Sequence, residues 1–293
     1  MNTPHGGPAG PDGGHRYPAT LILLRHGRST ANSAGILAGR SAGVDVDATG
    51  AEQAATLVDR LAGCRIARIV SSPLLRCRST VAPLAASLGL AVTIDERLAE
   101  VDYGDWTGRP LSELAQEPLW RTVQTHPSAA VFPNGEALAA VSARAVAAAR
   151  AHAAVTGETG AVLICSHGDV IASILADALG MHLDLFQRLV VSPASVSVIR
   201  YTPLRTFVER INDTGTLAGL GAPPVAPPST PASTPPATMP MTEPAPHVSA
   251  DGSGAAPAAE SIAVPGDPAN AATDGVFGAA NDGMLGGDPG VRI

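Results

Sequence analysis

Lysine is absent from the 293-residue chain, so all 19 basic residues are arginine. That absence removes whole reaction classes: a P-loop, a pyridoxal or aldolase-type Schiff base and a kinase ATP site each need a lysine amine. Cysteine is scarce as well. Cys64, Cys77 and Cys165 form no CxxC pair, which speaks against a disulfide framework or a zinc ribbon and reads as three reduced thiols. The eight histidines contain no HExxH, so neither a metal nor another cofactor is expected. No apolar run approaches ~18 residues, and the first residues lack a basic start leading into an apolar stretch. Membrane spanning and secretion therefore lack support, and a cytoplasmic location is expected.

A field of one sign is also missing. The formal net charge is -7, yet residues 16–216 hold 18 arginines against 18 acids, so the excess comes from the two ends. Nucleic acid or an anionic membrane would require a basic patch, and neither is expected as a partner. From about Leu217 large apolar residues nearly vanish in favour of Ala, Pro, Gly, Ser and Thr, a composition that cannot offset the entropy of ordering. The expected organisation is a disordered arm over residues 1–18, a folded domain over 19–216 and a disordered tail over 217–293.

Within 19–216, strand-like and helix-like segments alternate. Strands are expected at Thr20 to Leu24, Ile66 to Ser71, Ala91 to Ile94, Ala161 to Cys165, Ser195 to Tyr201 and Thr206 to Ile211. Thr49-x-x-Glu52 has the form of a capping box for a helix ending near Gly63. Ser72 and Pro73 would cap a second helix running to about Gly89, placing Arg76 in its first turn. Asp95 to Pro110 reads as irregular, Leu111 to Thr125 as helical in pieces, and Asn134-Gly135-Glu136 as the opening of an alanine-rich helix ending near Ala154. This alternation argues for an α/β fold, a three-layer α/β/α sandwich on a mostly parallel sheet, with the last strand pair bringing an antiparallel edge.

Three short motifs follow apolar strands: Arg25-His26-Gly27, Ser72-Pro73-Leu74-Leu75-Arg76 and Ser166-His167-Gly168. Ligands of open α/β sheets bind outside the carboxyl ends of the strands, so two histidines and two arginines would converge on one crevice. Arginine forks match phosphate oxygens, and an unprotonated imidazole between them can attack phosphorus. Together with Leu98-x-Glu100 and Tyr103-Gly104-x-Trp106-x-Gly108, these motifs resemble, in order, those of the histidine phosphatase superfamily, also called phosphoglycerate-mutase-like, over roughly residues 19 to 212. The resemblance implies that His26 becomes a phosphohistidine, that Arg25 and Arg76 bind the phosphoryl oxygens, that His167 completes the pocket, and that Glu100 is the proton donor, with Asp102 in reserve. It implies hydrolysis of a small phosphomonoester, with no metal. Two alternatives stay open: a phosphomutase, and a phosphate-ester-binding protein that has lost its chemistry.

Asn32, six residues after His26, matches a family position that contacts phosphate, although a helix cap would use the same residue type. Arg28 departs from the family, which commonly carries glutamate there; a cation beside the pocket would favour a substrate with a second anionic group, and an exposed arginine with no role is the equal alternative. Mutase members carry Trp-Asn and Thr-Gly-Trp where Ala31-Asn32 and Ala38-Gly39-Arg40 stand here, which favours hydrolysis. Trp106 and Trp120 fall in the segment expected to cap the pocket. Gly39-Arg40-Ser41-Ala42-Gly43 has the spelling of a nucleophile elbow without the strand and helix that such a turn needs.

Overall fold

The computed structural model describes residues 19–154 and 160–216. The arm over 1–18 and the tail over 217–293 lie outside the described residues. Six strands, β1 (Ala19–Arg25), β2 (Ile66–Ser71), β3 (Val92–Ile94), β4 (Ala161–Ser166), β5 (Val196–Tyr201) and β6 (Thr206–Asp213), form one sheet in the order β3-β2-β4-β1-β5-β6. The first four in that order run parallel, whereas β5 lies antiparallel to β1 and β6 antiparallel to β5. The mostly parallel sheet with an antiparallel edge agrees with the sequence.

Alternation along β1 shows why both faces need a helical layer. Leu21 and Leu23 enter one hydrophobic cluster and Ile22 and Leu24 the other, so the strand reads as one apolar run because it is buried twice over. On one face pack α2 (Ala48–Arg60) and α3 (Leu75–Leu88), through Leu57, Val81 and Leu84. On the other pack α6 (Leu138–Ala154) and α7 (Gly168–Ala178), through Val141, Ala145, Ile171 and Leu175. Each such leucine, isoleucine or valine contributes on the order of 1.5–3 kcal/mol when fully buried. Short helices α1 (Thr30–Ser33), α4 (Leu111–Leu114) and α5 (Pro118–Thr125) complete the chain. Among the described residues, no helix is long and apolar enough to cross a membrane.

Three helix starts differ from their sequence reading, each because a distant partner took the capping group. Asp47 caps α2, its carboxylate accepting from the Gly50 amide at 2.8 Å, while the Thr49 hydroxyl accepts from Arg28 at 2.8 Å. Helix α3 begins at Leu75, leaving the Ser72 hydroxyl at 2.8 Å from His167. Helix α6 begins at Leu138, after a turn in which Asn134 takes a φ of 56° and Glu136 turns its carboxylate to Arg40 and Arg144.

Candidate active site

The three motifs meet because β1, β4 and β2 are parallel neighbours that end together. Arg25 pairs with Ser166 and Ser71 with Cys165 in register; beyond them the His26 amide donates to the Ser166 carbonyl (3.0 Å) and the Ser72 amide to the Cys165 carbonyl (2.9 Å). His26 and His167 come to a ring-centroid separation of 5.2 Å. Arg76, second residue of α3, projects from the first helical turn onto the same point, as its place after β2 required.

His26 is buried, and its Nδ1 lies 2.7 Å from the carbonyl oxygen of Gly27. A carbonyl can only accept, so Nδ1 carries the proton and Nε2 keeps its lone pair. Burial, then the charges of Arg76 and Arg25, hold the ring's pKa well below its ordinary 6.5, against a smaller opposing effect of the Gly27 carbonyl. The imidazole is therefore neutral and oriented, which is the state a nitrogen nucleophile needs. Backbone packing fixes the loop: the Gly27 amide donates to the Thr80 hydroxyl at 2.9 Å, and a Cβ on Gly27 would stand 2.7 Å from the Gly50 carbonyl oxygen.

Arg25, fully buried, donates from Nη1 to the Val191 carbonyl at 2.6 Å. Arg76 is equally buried; its Nη2 donates to the Gly39 carbonyl (2.9 Å) and to His167 Nδ1 (3.2 Å), while Nη1 has no acceptor among the described residues. Because a guanidinium only donates, His167 Nδ1 is the acceptor and the ring's proton sits on Nε2, facing the Ser72 hydroxyl. Burial and the nearby cations Arg76 and Arg25 push the His167 pKa well below 6.5 as well, so its 3.5 Å approach to Glu100 Oε2 is not an ion pair.

Glu100 is buried, with Oε1 accepting from the Val101 amide at 3.0 Å and Oε2 standing 4.0 Å from Arg76 Nη2. Burial raises its pKa above the ordinary 4.5, although Arg76, the Val101 amide, Arg25 and Arg144 act the other way. Two buried guanidinium charges thus face two neutral imidazoles and a carboxyl group pressed toward protonation. That balance suits a dianion such as a phosphoryl group, with Arg76 Nη1 among the donors for it.

Arg28 does not join this cluster. Its Nε donates to Asp47 at 2.6 Å and its Nη2 to Thr49, so its charge is met locally and the second-anion role expected of it is not supported. Asn32 forms the cap of α1: its Oδ1 accepts from the Ser29 amide (3.0 Å) and hydroxyl (2.9 Å) while the Asn32 amide donates back to Ser29 Oγ. Asp102, the reserve acid, accepts from the Gly104 amide at 3.0 Å within its own turn. Trp106 is buried core, stacked on Trp120 at 6.2 Å and edge-on to Phe132. Gly39 and Arg40 act through a carbonyl and a guanidinium, not as a serine elbow.

Several site contacts were not legible in the sequence: the pairing of Ser72 with His167, of Gly39 with Arg76, and of the buried Tyr103 with Asp169. The Tyr103 hydroxyl donates to Asp169 Oδ2 at 2.7 Å, and burial together with the Glu100 charge raises the Asp169 pKa well above its ordinary value. Asp169, two residues after His167, could have been flagged as an acid in the first turn of a helix whose other charged residue, Asp177, lies at its far end. Among the described residues no group of His, Cys, Asp and Glu side chains is arranged to hold a metal ion.

Known proteins share this sequence pattern and fold. A family model described as the histidine phosphatase superfamily (branch 1) matches residues 21–214. Phosphoserine phosphatase 1 of Hydrogenobacter thermophilus is 30% identical over 197 residues, 66% of this chain and 92% of that one. A bifunctional protein of Mycobacterium tuberculosis is 32% identical over 210 residues, 70% of this chain, and there the chain spans only 57% of its relative's length. The solved structure of a mycobacterial glucosyl-3-phosphoglycerate phosphatase in complex with VO3 is 25% identical, with a TM-score of 0.61 over 67% of this chain and 99% of that one.

Proposed function

The chain belongs to the histidine phosphatase superfamily (branch 1), and from that premise we propose that it hydrolyses a small phosphorylated metabolite, a phosphomonoester, through a phosphohistidine on His26. The observation that carries this reading is the neutral, buried His26, its Nδ1 proton held by Gly27 and its Nε2 lone pair left for attack between two buried arginines. Arg25 and Arg76 bind the phosphoryl oxygens and spread their charge as the bond to the leaving oxygen lengthens. His26 Nε2 forms a bond to phosphorus while the ester oxygen leaves, taking the proton of Glu100 to become a free hydroxyl. In the second half-reaction water attacks the phosphohistidine, the Glu100 carboxylate takes the water proton, and phosphate departs with His26 restored. His167, donating to Ser72 and accepting from Arg76, holds Arg76 Nη2 in place and completes the pocket wall. No step requires a metal.

The relatives named phosphoserine phosphatase and glucosyl-3-phosphoglycerate phosphatase support a small phosphorylated hydroxy compound as the substrate class. The test is phosphate release from a panel of phosphorylated metabolites with His26→Ala as blank, followed by product analysis on 3-phosphoglycerate with a bisphosphate primer. Inorganic phosphate is the expected product. An isomeric phosphate formed faster than inorganic phosphate would replace hydrolase by mutase, and binding without turnover in the wild type would leave only a phosphate-ester binder.

A further inference from the structure

Glu100 sits in a stretch with little regular structure of its own to hold it. Between β3 and the turn at Gly104 the only element is a 3-10 turn, Glu96–Leu98, capped by the Asp95 carboxylate on the Arg97 amide at 2.9 Å. A carboxyl group that must deliver a proton to one oxygen has to be placed within a few tenths of an ångström of a productive geometry, and a loop alone does not do that.

Two guanidinium groups from outside the loop converge on its backbone. Arg144, on α6, donates from Nη1 to the carbonyls of Arg97 (2.8 Å) and Ala99 (2.7 Å) and from Nη2 to that of Glu100 (3.0 Å). Arg40 donates from Nε to the same Glu100 carbonyl at 2.8 Å. Glu136 ties the two together: its Oε2 accepts from Arg40 Nη2 (2.8 Å), Arg144 Nη2 (2.9 Å) and the Asp102 amide (3.0 Å), and its Oε1 from Arg144 Nε (3.0 Å). The carbonyl of Gly39, one residue before Arg40, accepts from Arg76 Nη2. A two-residue segment thus touches the phosphate-binding arginine through its backbone and the acid's backbone through its side chain. Gly39 suits that position, with a φ of 49° and a would-be Cβ 2.8 Å from the Thr107 hydroxyl.

We propose that Arg40, Glu136 and Arg144 are positioning residues for proton transfer, a clasp that holds the backbone of Glu100 so that its carboxyl group stays aligned with the phosphate pocket. The clasp rests on the reading of Glu100 as the proton donor. Arginine is required because each guanidinium serves several acceptors at once in one plane, which the single ammonium of lysine cannot reproduce. Glu136 offsets one of the two cations and bridges them, so only part of their positive charge is left beside the acid. None of the three side chains needs to touch the substrate.

The test uses Arg144→Lys and Arg40→Lys in the full-length protein, with Glu136→Gln as the third variant. Arg40 is 38% exposed in its side chain, so its replacement tests the clasp with least risk to folding. For an alkyl phosphate, kcat/KM is expected to fall about ten- to a hundredfold, while for nitrophenyl phosphate, which leaves without a proton, it changes by less than about threefold. Inhibition by vanadate is expected to stay within about threefold of wild type, since Arg25 and Arg76 remain. Equal losses on both esters, or no loss on either, would overturn the clasp while leaving the phosphatase reading intact. A wild type that hydrolyses neither ester would overturn both.

Discussion

Burial drives His26 and Glu100 toward their neutral forms, the one by lowering a pKa and the other by raising it. The first half-reaction needs both neutral. Going up in pH, kcat/KM should rise as His26 loses its proton below its ordinary 6.5, and fall as Glu100 ionises above its ordinary 4.5. A pH profile on an alkyl phosphate checks this, and in Glu100→Gln the alkaline fall assigned to Glu100 should vanish. The same variant should lose about 10²- to 10⁴-fold in kcat/KM on alkyl phosphates and far less on nitrophenyl phosphate. Equal losses on both esters would move the acid role elsewhere. At this scale the pocket residues His26, Arg25, Arg76, His167 and Glu100 were legible because each sits in a short motif beside a strand or a marked loop. The pairing of Arg28 was not legible because its partner, Asp47, lies 19 residues on, and one-dimensional spacing gives no sign that a cation is already paired.

Between elements, one close backbone crossing lies where the loop after β1 meets the first turn of α2. A Cβ on Gly27 would press on the Gly50 carbonyl, and a Cβ on Gly50 would overlap the Arg28 carbonyl oxygen. Backbone therefore rests on backbone, and the loop carrying His26 owes its position to it. Gly50→Ala should destabilise the protein by about 1–3 kcal/mol through overpacking and lower kcat/KM even where the protein stays folded. Chemical denaturation and steady-state kinetics on the same preparation check both; an alanine tolerated without loss of either would contradict the crossing. Strand positions were readable to within a residue or two because β1, β2 and β4 are apolar on both faces. Helix starts were less so. Thr49, Ser72 and Glu136 all have the side chains of helix-opening residues, but Arg28, His167 and the Arg40–Arg144 pair bind those side chains from elsewhere in the chain.

For the molecule as a whole, the family match spans residues 21–214 and ends before the tail. A chain cut after Thr216 should keep most of its kcat/KM; a folded but inactive truncation would show that residues beyond 216 take part in the site. The clasp on Glu100 was invisible at the sequence level for a reason of the same scale, since residues 40, 100, 136 and 144 meet only once the sheet and α6 have formed. Everything proposed about the chemistry depends on a covalent phosphoryl group passing through one imidazole. Rapid quenching with a ³²P-labelled substrate, followed by peptide mapping, measures that directly. Acid-labile, base-stable label on His26 that appears and decays at rates compatible with turnover is the expected result, whereas normal turnover by His26→Ala, or label on another residue, would contradict it.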